Sequence, residues 1–285
     1  MFEPVPSLTL TGSLRQDVNR DFSPALSPAI GLSWQIPEFR VRGSWGRAFR
    51  APTLSDRYWP KSGVRNLRPE LSSTLQLGSD LDTYGCTFSL TGFRRETKDL
   101  IVWFPDSSGL WRPANIDRSI CYGGELGIVA SPNERIRLDM NATLLQAQQF
   151  RSELVYYDYV TGESRAETRV RPQAHTPAFQ LSCLTNYTVN SAVRIGLRLH
   201  HRAARLNYYP VYLDDGTILT KVKTLPARAV LDLQTEIRPI NSLVMFLEVT
   251  NLTDVSYAEQ FGNSLTDHDY PMPRRGIAIS IRHQL

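Results

Sequence analysis

"RIRLDMNATLL", residues 135–145, alternates apolar and polar side chains from one end to the other. One parity holds Ile136, Leu138, Met140, Ala142 and Leu144, and the other holds Arg135, Arg137, Asp139, Asn141 and Thr143. A spacing of two scatters side chains around a helix but places them on one face of a strand. The stretch therefore predicts a β-strand with one apolar and one polar face.

The same pattern recurs in "VRIGLRLH" (193–200) and "ARAVLDLQTEI" (227–237). It also occurs near the C-terminus, where Ile277, Ile279 and Ile281 share one parity. We count roughly 12 such segments, many of them about ten residues long, which is near the length that a tilted strand needs to cross a bilayer. Their approximate positions are 9–16, 28–36, 39–48, 72–82, 86–97, 110–130, 135–146, 177–187, 192–204, 227–238, 242–251 and 275–284. No amphipathic helix pattern competes with them. The sequence predicts an all-β, antiparallel chain.

The connections between these segments are unequal in length. Short ones, such as "SPNE" (131–134) and "RPIN" (238–241), alternate with long polar ones at 50–71, 147–176, 205–226 and 252–274. Outer-membrane barrels have short periplasmic turns and long external loops. The alternation of lengths therefore favours a transmembrane β-barrel.

A second architecture also fits a period of two. A soluble or surface-exposed β-sandwich used for binding would bury the apolar parity in a core and expose the other to water. Aromatic residues near segment ends would suit the interfacial girdles of a barrel; these are Trp34, Trp103, Tyr187 and Tyr257.

Composition excludes several classes of protein. Hydrophobic residues make up 41% of the chain and charged residues 21%, which excludes disorder. The net charge of +4 is spread along the chain, unlike the clustered cations of a nucleic-acid binder. Cys86, Cys121 and Cys183 are too widely spaced for a metal cluster or a disulfide scaffold. The first residues do not read as a signal peptide, and no apolar run approaches the ~18 residues of a transmembrane helix.

Three motifs add a family resemblance. "FRAPTLSDRY" (49–58) with "NLRPE" (66–70), then "VTNLTDVSYAEQFG" (249–262), then "YPMPRRGIAISIRHQL" (270–285) occur in this order. The set resembles the C-terminal barrel of TonB-dependent outer-membrane receptors, and the vitamin B12 and siderophore receptors are the nearest relatives that it suggests.

This resemblance implies a location and a function. Residues 1–285 would form one partial barrel domain in the bacterial outer membrane, with about 12 of the family's 22 strands. The implied function is TonB-dependent uptake of an iron chelate (siderophore), cobalamin or a similar scarce nutrient. The implied partners are outer-membrane lipid and lipopolysaccharide, the ligand of the intact receptor, and TonB through an N-terminal segment.

The chain also departs from the family pattern. Family members carry an N-terminal plug and a TonB-contacting segment, and residues 1–285 contain neither. We therefore expect that these residues alone cannot perform energised uptake, and that their open sheet misassembles or aggregates. Leu285 stands where the family usually ends in an aromatic residue, and His283 stands where an aromatic is common.

The motif around residues 46–60 is expected to be an architectural corner. Pro52 cannot donate a ladder hydrogen bond, so it marks the point where a strand leaves the sheet. Arg47 and Arg50 would lie at the edge or on the lumen wall of the barrel, where we expect them to form ion pairs with neighbouring carboxylates. Asn251 and Asp254 are expected to shape a turn through side-chain-to-backbone hydrogen bonds.

The sequence assigns no catalytic, cofactor, metal or ligand-binding residue. Asp267, His268 and Asp269, and likewise Asp214 and Asp215, offer oxygen ligands for Ca²⁺, but their spacing matches no calcium motif and favours solvated turns. His200 and His201 would point to opposite faces of a strand, which excludes a shared metal. With no G-x-S-x-G, Walker or H-E-x-x-H motif, we expect no enzyme. The tyrosines of 155–160 and 207–212 would either grip an organic ligand or stabilise their loops.

A barrel predicts the direction in which each parity points. The lipid-facing set is Ile136, Leu138, Met140, Leu144, Ile195, Leu197, Leu231 and Leu233. The lumen-facing set is Arg137, Asp139, Arg194, Arg198, Asp232 and Glu236.

Overall fold

The protein is described by a computed structural model that covers residues 7–19, 24–105, 110–157, 164–215, 217–240, 242–260 and 269–283. Nearly all regular structure is β-strand, with one short helix. The elements are β1 (Ser7–Asp17), β2 (Ala25–Ile36), β3 (Phe39–Arg50), α1 (Leu54–Tyr58), β4 (Glu70–Thr83), β5 (Cys86–Pro105), β6 (Trp111–Asn133), β7 (Ile136–Tyr157), β8 (Ser164–Pro172), β9 (Phe179–Thr188), β10 (Val193–Arg202), β11 (Arg205–Tyr212), β12 (Ile218–Leu225), β13 (Arg228–Ile240), β14 (Leu243–Thr250), β15 (Ala258–Gln260), β16 (Tyr270–Pro271) and β17 (Gly276–His283).

One antiparallel sheet contains most of the strands. Its order is β1-β2-β3-β4-β5-β6-β7-β9-β10-β13-β14-β17, and β8 pairs with β7 beside this path. Two small hairpins, β11–β12 and β15–β16, lie in the connections. The all-β antiparallel prediction is confirmed. The sandwich alternative is wrong, because the strands follow one continuous order instead of forming two packed sheets.

The two ends of the sheet differ in their connections. At one end the strands meet in tight turns such as Tyr84–Gly85, where both residues have positive φ (46° and 74°), as a two-residue hairpin turn of the primed type requires. We call this end the short-turn rim. The other end carries the long connections, including α1 and both small hairpins, and we call it the long-loop rim. The predicted alternation of connection lengths is confirmed.

The strand register keeps the two parities on separate faces. Leu138 pairs with Thr185, Thr185 with Leu197, and Leu197 with Leu233, so these residues form one row across β7, β9, β10 and β13. The whole predicted lipid-facing set has this parity, and we call its side the outer face. The predicted lumen-facing set lies on the inner face, where Arg194 forms an ion pair with Glu236 at 3.6 Å.

Several strands are longer than the sequence predicted. β5, β6 and β7 have 20, 23 and 22 residues. The predicted connection 147–176 contains the end of β7 and all of β8, and the predicted connection 205–226 contains the hairpin β11–β12. The central strands therefore project well beyond the length needed to cross a bilayer.

The sheet has two free edges in the part of the chain that the structure describes. There, β1 pairs only with β2 and β17 only with β14. Apolar side chains at both edges are exposed, for example Leu10 and Ile279, each with 68% of its surface accessible. The described strands thus form an open wall.

Cys86, Cys121 and Cys183 are all free and partly buried. Cys86 and Cys183 have the parity of the outer face, and Cys121 has that of the inner face. Among the described residues, no helix is long and apolar enough to cross a membrane.

Candidate functional site

The first motif is held together by an ion pair at the long-loop rim. Arg50, the last residue of β3, donates from Nε and Nη2 to the two carboxylate oxygens of Glu70, at 2.9 and 2.5 Å. Glu70 begins β4, is only 8% exposed, and also accepts the backbone N–H of Ile101 at 2.7 Å. The motif halves "FRAP" and "NLRPE" are therefore joined through one buried carboxylate, which confirms the ion pair expected for Arg50.

The helix between these halves is fixed by Asp56. Thr53 and Asp56 form a capping box at the start of α1, and Asp56 also accepts the indole N–H of Trp103 from β5 at 2.8 Å. Burial raises the pKa of this carboxyl, but hydrogen bonds from Thr53 and Trp103 and the charge of Arg50 outweigh burial and lower it. The predicted corner is confirmed as a structural element.

Arg47 differs from its prediction. It pairs in register with Ser73 on the outer face, and its guanidinium lies 5.7 Å from the ring centroid of Trp45. It has no carboxylate partner among the described residues. The prediction that Arg47 forms an ion pair on the lumen wall or edge is wrong, because its parity points it outward.

The second motif forms the expected turn. Asn251 has a φ of 51°, and its side chain both donates to and accepts from the backbone of Val255, at 2.9 Å each. Its own N–H donates to Asp232 on β13 at 2.8 Å.

Asp254 joins this turn to the third motif. Its carboxylate accepts two hydrogen bonds from the Arg274 guanidinium, at 2.9 and 2.8 Å, and one from the Arg275 backbone at 3.0 Å. These hydrogen bonds, with the nearby positive charges, hold the pKa of Asp254 well below its usual range. The predicted turn-forming roles of Asn251 and Asp254 are confirmed.

A cavity of about 630 Å³ lies on the inner face, close to the long-loop rim. We call it the rim pocket. Its lining includes Gln180, Ser182, His200, Arg202, Arg228 and Tyr257. Strand register brings all of these residues except Tyr257 together. Gln180 pairs with Arg202, Arg202 with Arg228, and Ser182 with His200, across β9, β10 and β13.

Positive charge is in surplus beside the rim pocket. Glu259 is contacted by three guanidinium groups: Arg202 at 2.6 Å, Arg205 at 3.3 Å, and Arg228. Burial, followed by the charge of Arg202, lowers the pKa of Arg205, although an arginine stays charged in a protein. Arg228 also stacks 4.5 Å from the ring centroid of Tyr257. Together with the nearby Asp232, two carboxylates face three cations, so the pocket suits an anionic or polar ligand.

The acidic candidates of the sequence have partners other than a metal ion where the structure describes them. Asp215 accepts the backbone N–H of Thr217 in the β11–β12 turn, and Asp269 forms an ion pair with Lys223 at 2.6 Å. Asp267 and His268 lie outside the described residues. Within the described ranges, no group of three or more His, Cys, Asp or Glu residues is arranged to hold a metal ion.

The histidine and tyrosine candidates have separate environments. His200 and His201 have opposite parity, as predicted. Both are among the residues at the rim pocket, and the His201 ring lies 5.5 Å from that of Phe179. Tyr156 bridges to Thr217, and Arg171 lies 5.3 Å from the ring centroid of Tyr208.

The girdle prediction holds for two of its four aromatics. Trp34 and Tyr187 are exposed on the outer face near the short-turn rim. Trp103 belongs to the corner and Tyr257 to the rim pocket, so the girdle prediction is wrong for both.

Comparison with known proteins identifies the family. The family model "TonB dependent receptor-like, beta-barrel" matches residues 2–252. The chain belongs to this family of TonB-dependent receptor barrels. It is therefore a bacterial outer-membrane protein, and the family consists of receptors, not enzymes. The long-loop rim is accordingly external and the short-turn rim periplasmic.

Curated relatives of this receptor barrel are named vitamin B12 transporters. One from Photobacterium profundum is 34% identical over 120 residues, which cover 40% of this chain and 20% of the relative. Another from Vibrio cholerae is 38% identical over 93 residues, or 32% of this chain and 15% of the relative.

Solved structures share the fold. The siderophore receptor PirA from Acinetobacter baumannii matches with a TM-score of 0.71 at 16% identity, over 97% of this chain and 43% of that one. A mutant of the ferric enterobactin receptor PfeA from Pseudomonas aeruginosa, in complex with enterobactin, matches with a TM-score of 0.72 at 18% identity, over 98% and 43% of the two chains. The open wall thus spans less than half the length of the receptors that it resembles.

Proposed function

We propose that this chain forms the C-terminal part of the barrel wall of a receptor for TonB-dependent uptake of a scarce nutrient. The nutrient is an iron chelate (siderophore), cobalamin or a similar compound. The observation that carries the proposal is the rim pocket, which lies on the inner face at the external end of the wall. A ligand arriving from outside meets this surface before it can reach the periplasm.

The chemistry of the pocket supports a binding role. Arg202 and Arg228 offer charged donors, Tyr257 offers an aromatic face, and Gln180 and Ser182 offer neutral hydrogen-bonding groups. Small-molecule sites commonly combine aromatic surface with a few placed polar groups. We infer that these residues contact the ligand and that no chemical reaction takes place on it.

We also infer that residues 1–285 act as one partial domain that forms part of the barrel wall, and that uptake needs further segments of a receptor. Energised uptake requires an element that TonB can pull, and the described residues consist of one sheet with its connections. The test is a chimera in which this chain replaces the matching strands of the Photobacterium profundum relative. We expect the chimera, but not the 285-residue chain alone, to support TonB-dependent uptake.

The ligand class is tested with two probes, a negatively charged ferric catecholate and cyanocobalamin. Replacing Arg202 and Arg228 together by Gln should weaken binding of the accepted probe about tenfold or more, because hydrogen bonds to charged groups contribute about 1.5–3 kcal/mol each. The control replaces Arg137 and Arg194, which lie on the inner face near the periplasmic end, and should bind normally. Failure of the chimera to take up either probe would contradict both substrate classes.

A further inference from the structure

Glu259 lies at the positively charged side of the rim pocket. Its Oε2 accepts from Arg202 at 2.6 Å and lies 3.3 Å from Nη2 of Arg205, and its Oε1 is contacted by Arg228. A ligand with a negative group needs these same guanidinium groups, because Arg202 and Arg228 line the pocket. The carboxylate of Glu259 therefore stands where the anionic group of a ligand would bind.

The backbone beside Glu259 is held independently of its carboxylate. Arg205, which is only 7% exposed, donates to the backbone carbonyl of Glu259 at 3.0 Å and to that of Ala258 at 3.3 Å. Arg228 is held in addition by stacking on the ring of Tyr257. The Glu259 side chain is 24% exposed, so it can turn toward water by rotating about its own bonds. Release of the arginines therefore requires a change of rotamer and no movement of the backbone.

One donor of the pocket is unsatisfied while Glu259 is in place. Nε of Arg228 is buried and has no hydrogen-bond partner among the residues that the structure describes. Buried polar groups are nearly always paired, because an unpaired one loses its hydration without compensation. Both oxygens of the Glu259 carboxylate already receive guanidinium groups. A larger anion with more oxygens would supply an acceptor for this N–H as well.

The charge of the pocket changes when this carboxylate turns away. Three guanidinium groups face Glu259 and Asp232, which leaves a surplus of about one positive charge, and about two without Glu259. Arg274 also lines the pocket, but it is paired with Asp254. A singly charged ligand would only replace Glu259, whereas a multiply charged ligand would neutralise the surplus as well. A neutral ligand cannot displace Glu259, because the guanidinium groups would then lose their counter-ion.

We propose that Glu259 is a built-in competitor for the ligand, and that it selects multiply charged anions, such as a ferric tris-catecholate, over neutral nutrients such as cobalamin. The inference rests on the proposed function and names the class of compound that the rim pocket takes. An anionic ligand exchanges one set of charge-assisted hydrogen bonds for another and adds an acceptor for Nε of Arg228. The apparent affinity is lowered in proportion to the fraction of time in which the arginines are free, so removal of the competitor raises it.

The test measures binding to the chimera with the Photobacterium profundum relative, assembled in the outer membrane and extracted in detergent. Glu259→Gln keeps the size of the side chain and removes its charge. The control is Glu236→Gln, which removes the same charge from the inner face near the periplasmic end, where Glu236 pairs with Arg194 and Arg238. The probes are a ferric tris-catecholate, cyanocobalamin and inorganic pyrophosphate, which is a small, multiply charged anion without iron.

We expect Glu259→Gln to bind the tris-catecholate and pyrophosphate about tenfold more tightly, which corresponds to arginines that are free for about a tenth of the time in the unmodified chimera. Its affinity for cyanocobalamin should not rise. Glu236→Gln should bind all three probes as the unmodified chimera does. When Arg202→Gln and Arg228→Gln are already present, the gain from Glu259→Gln should disappear, because nothing is left to compete for.

Equal or weaker binding of the two anions by Glu259→Gln would overturn the inference, since Glu259 would then organise the arginines instead of competing for them. A comparable gain for cyanocobalamin, or a gain that persists without Arg202 and Arg228, would overturn it too. In each of these cases uptake of a nutrient by the chimera still upholds the proposed function. If the chimera takes up neither nutrient while Glu259→Gln gains affinity for pyrophosphate, the proposed function fails and the competitor role stands.

Discussion

At the scale of single residues, the family motifs are positions where one polar side chain joins two segments distant in sequence. Glu70 receives both Arg50 and the Ile101 amide, and Asp254 receives both Arg274 and the Arg275 amide. In each case a carboxylate accepts three hydrogen bonds, at least one of them from the backbone. The motifs therefore attach the long connections to the wall, and Tyr257 of the second motif also lines the rim pocket.

Glu70 should be sensitive to loss of its charge. In Glu70→Gln, one carboxylate oxygen is replaced by an amide that cannot accept, so either Arg50 or the buried Ile101 N–H loses its partner. We expect a loss of about 1–2 kcal/mol in the free energy of unfolding. The loss stays small because the Arg50 guanidinium is partly solvated and can replace the lost hydrogen bond with one to water. Urea unfolding in detergent micelles, followed by tryptophan fluorescence, measures it. Arg65→Ala, which removes only a stacking contact with Tyr58, is the control and should cost less than about 0.5 kcal/mol.

The corner should lose stability only in strong acid. The pKa of Asp56 is lowered in the folded state, so its contribution to stability is complete above the unfolded value of about 3.9 and is lost as the pH falls through the folded value. The indole N–H resonance of Trp103 should hence stay constant from pH 8 to about pH 5 and shift only below about pH 4. Asp56→Asn should abolish this titration. A shift of the resonance near neutral pH in the unmodified protein would contradict this account.

At the scale of elements, alternation predicted the membrane-crossing strands because each of them separates lipid from water. It did not predict β8 or the hairpin β11–β12. "RLNYYPVY" (205–212) has no strict alternation, and a ribbon outside the bilayer has no lipid-facing side that must be apolar. The rim pocket was missed for a different reason. Arg202, Arg228 and Tyr257 are brought together only by strand register and by the fold of a long connection, and neither is readable from local spacing.

The two faces of β10 should respond oppositely to a change of charge. Leu197 is outward and Arg198 inward, and the two are adjacent in sequence. Leu197→Arg places a charge against lipid at a cost of about 2–4 kcal/mol near the midplane, so when it is introduced into the chimera with the Photobacterium profundum relative, the yield of assembled protein in the outer membrane should fall. Arg198→Leu should assemble normally. Membrane fractionation with immunoblotting compares the two, and equal yields would refute the assignment of faces.

At the scale of the whole molecule, the open wall is the dominant feature. β1 and β17 each have one unpaired side in the described structure, and unpaired backbone groups in lipid cost several kcal/mol each. A wall built for the curvature of a wider barrel does not easily close on itself, because strand number, tilt and stagger are linked.

The 285-residue chain by itself should therefore fail to form a closed barrel. On a semi-native gel it should not show the shift between heated and unheated samples that closed barrels show, and it should aggregate when detergent is removed. A closed porin run beside it is the control. A stable, heat-modifiable band from this chain alone would show that the strands can close as a smaller pore.

The free thiols can be used to distinguish the inner face of the wall, which contacts water, from the outer face, which contacts lipid. Cys121 has the inner parity and Cys183 the outer parity, and they lie on neighbouring regions of the same sheet. In the chimera assembled in the outer membrane, a water-soluble maleimide should alkylate Cys121 in preference to Cys183, whereas a maleimide dissolved in the lipid phase should show the reverse preference. Peptide mass mapping after each treatment would distinguish the two sides of the wall without introducing a single substitution.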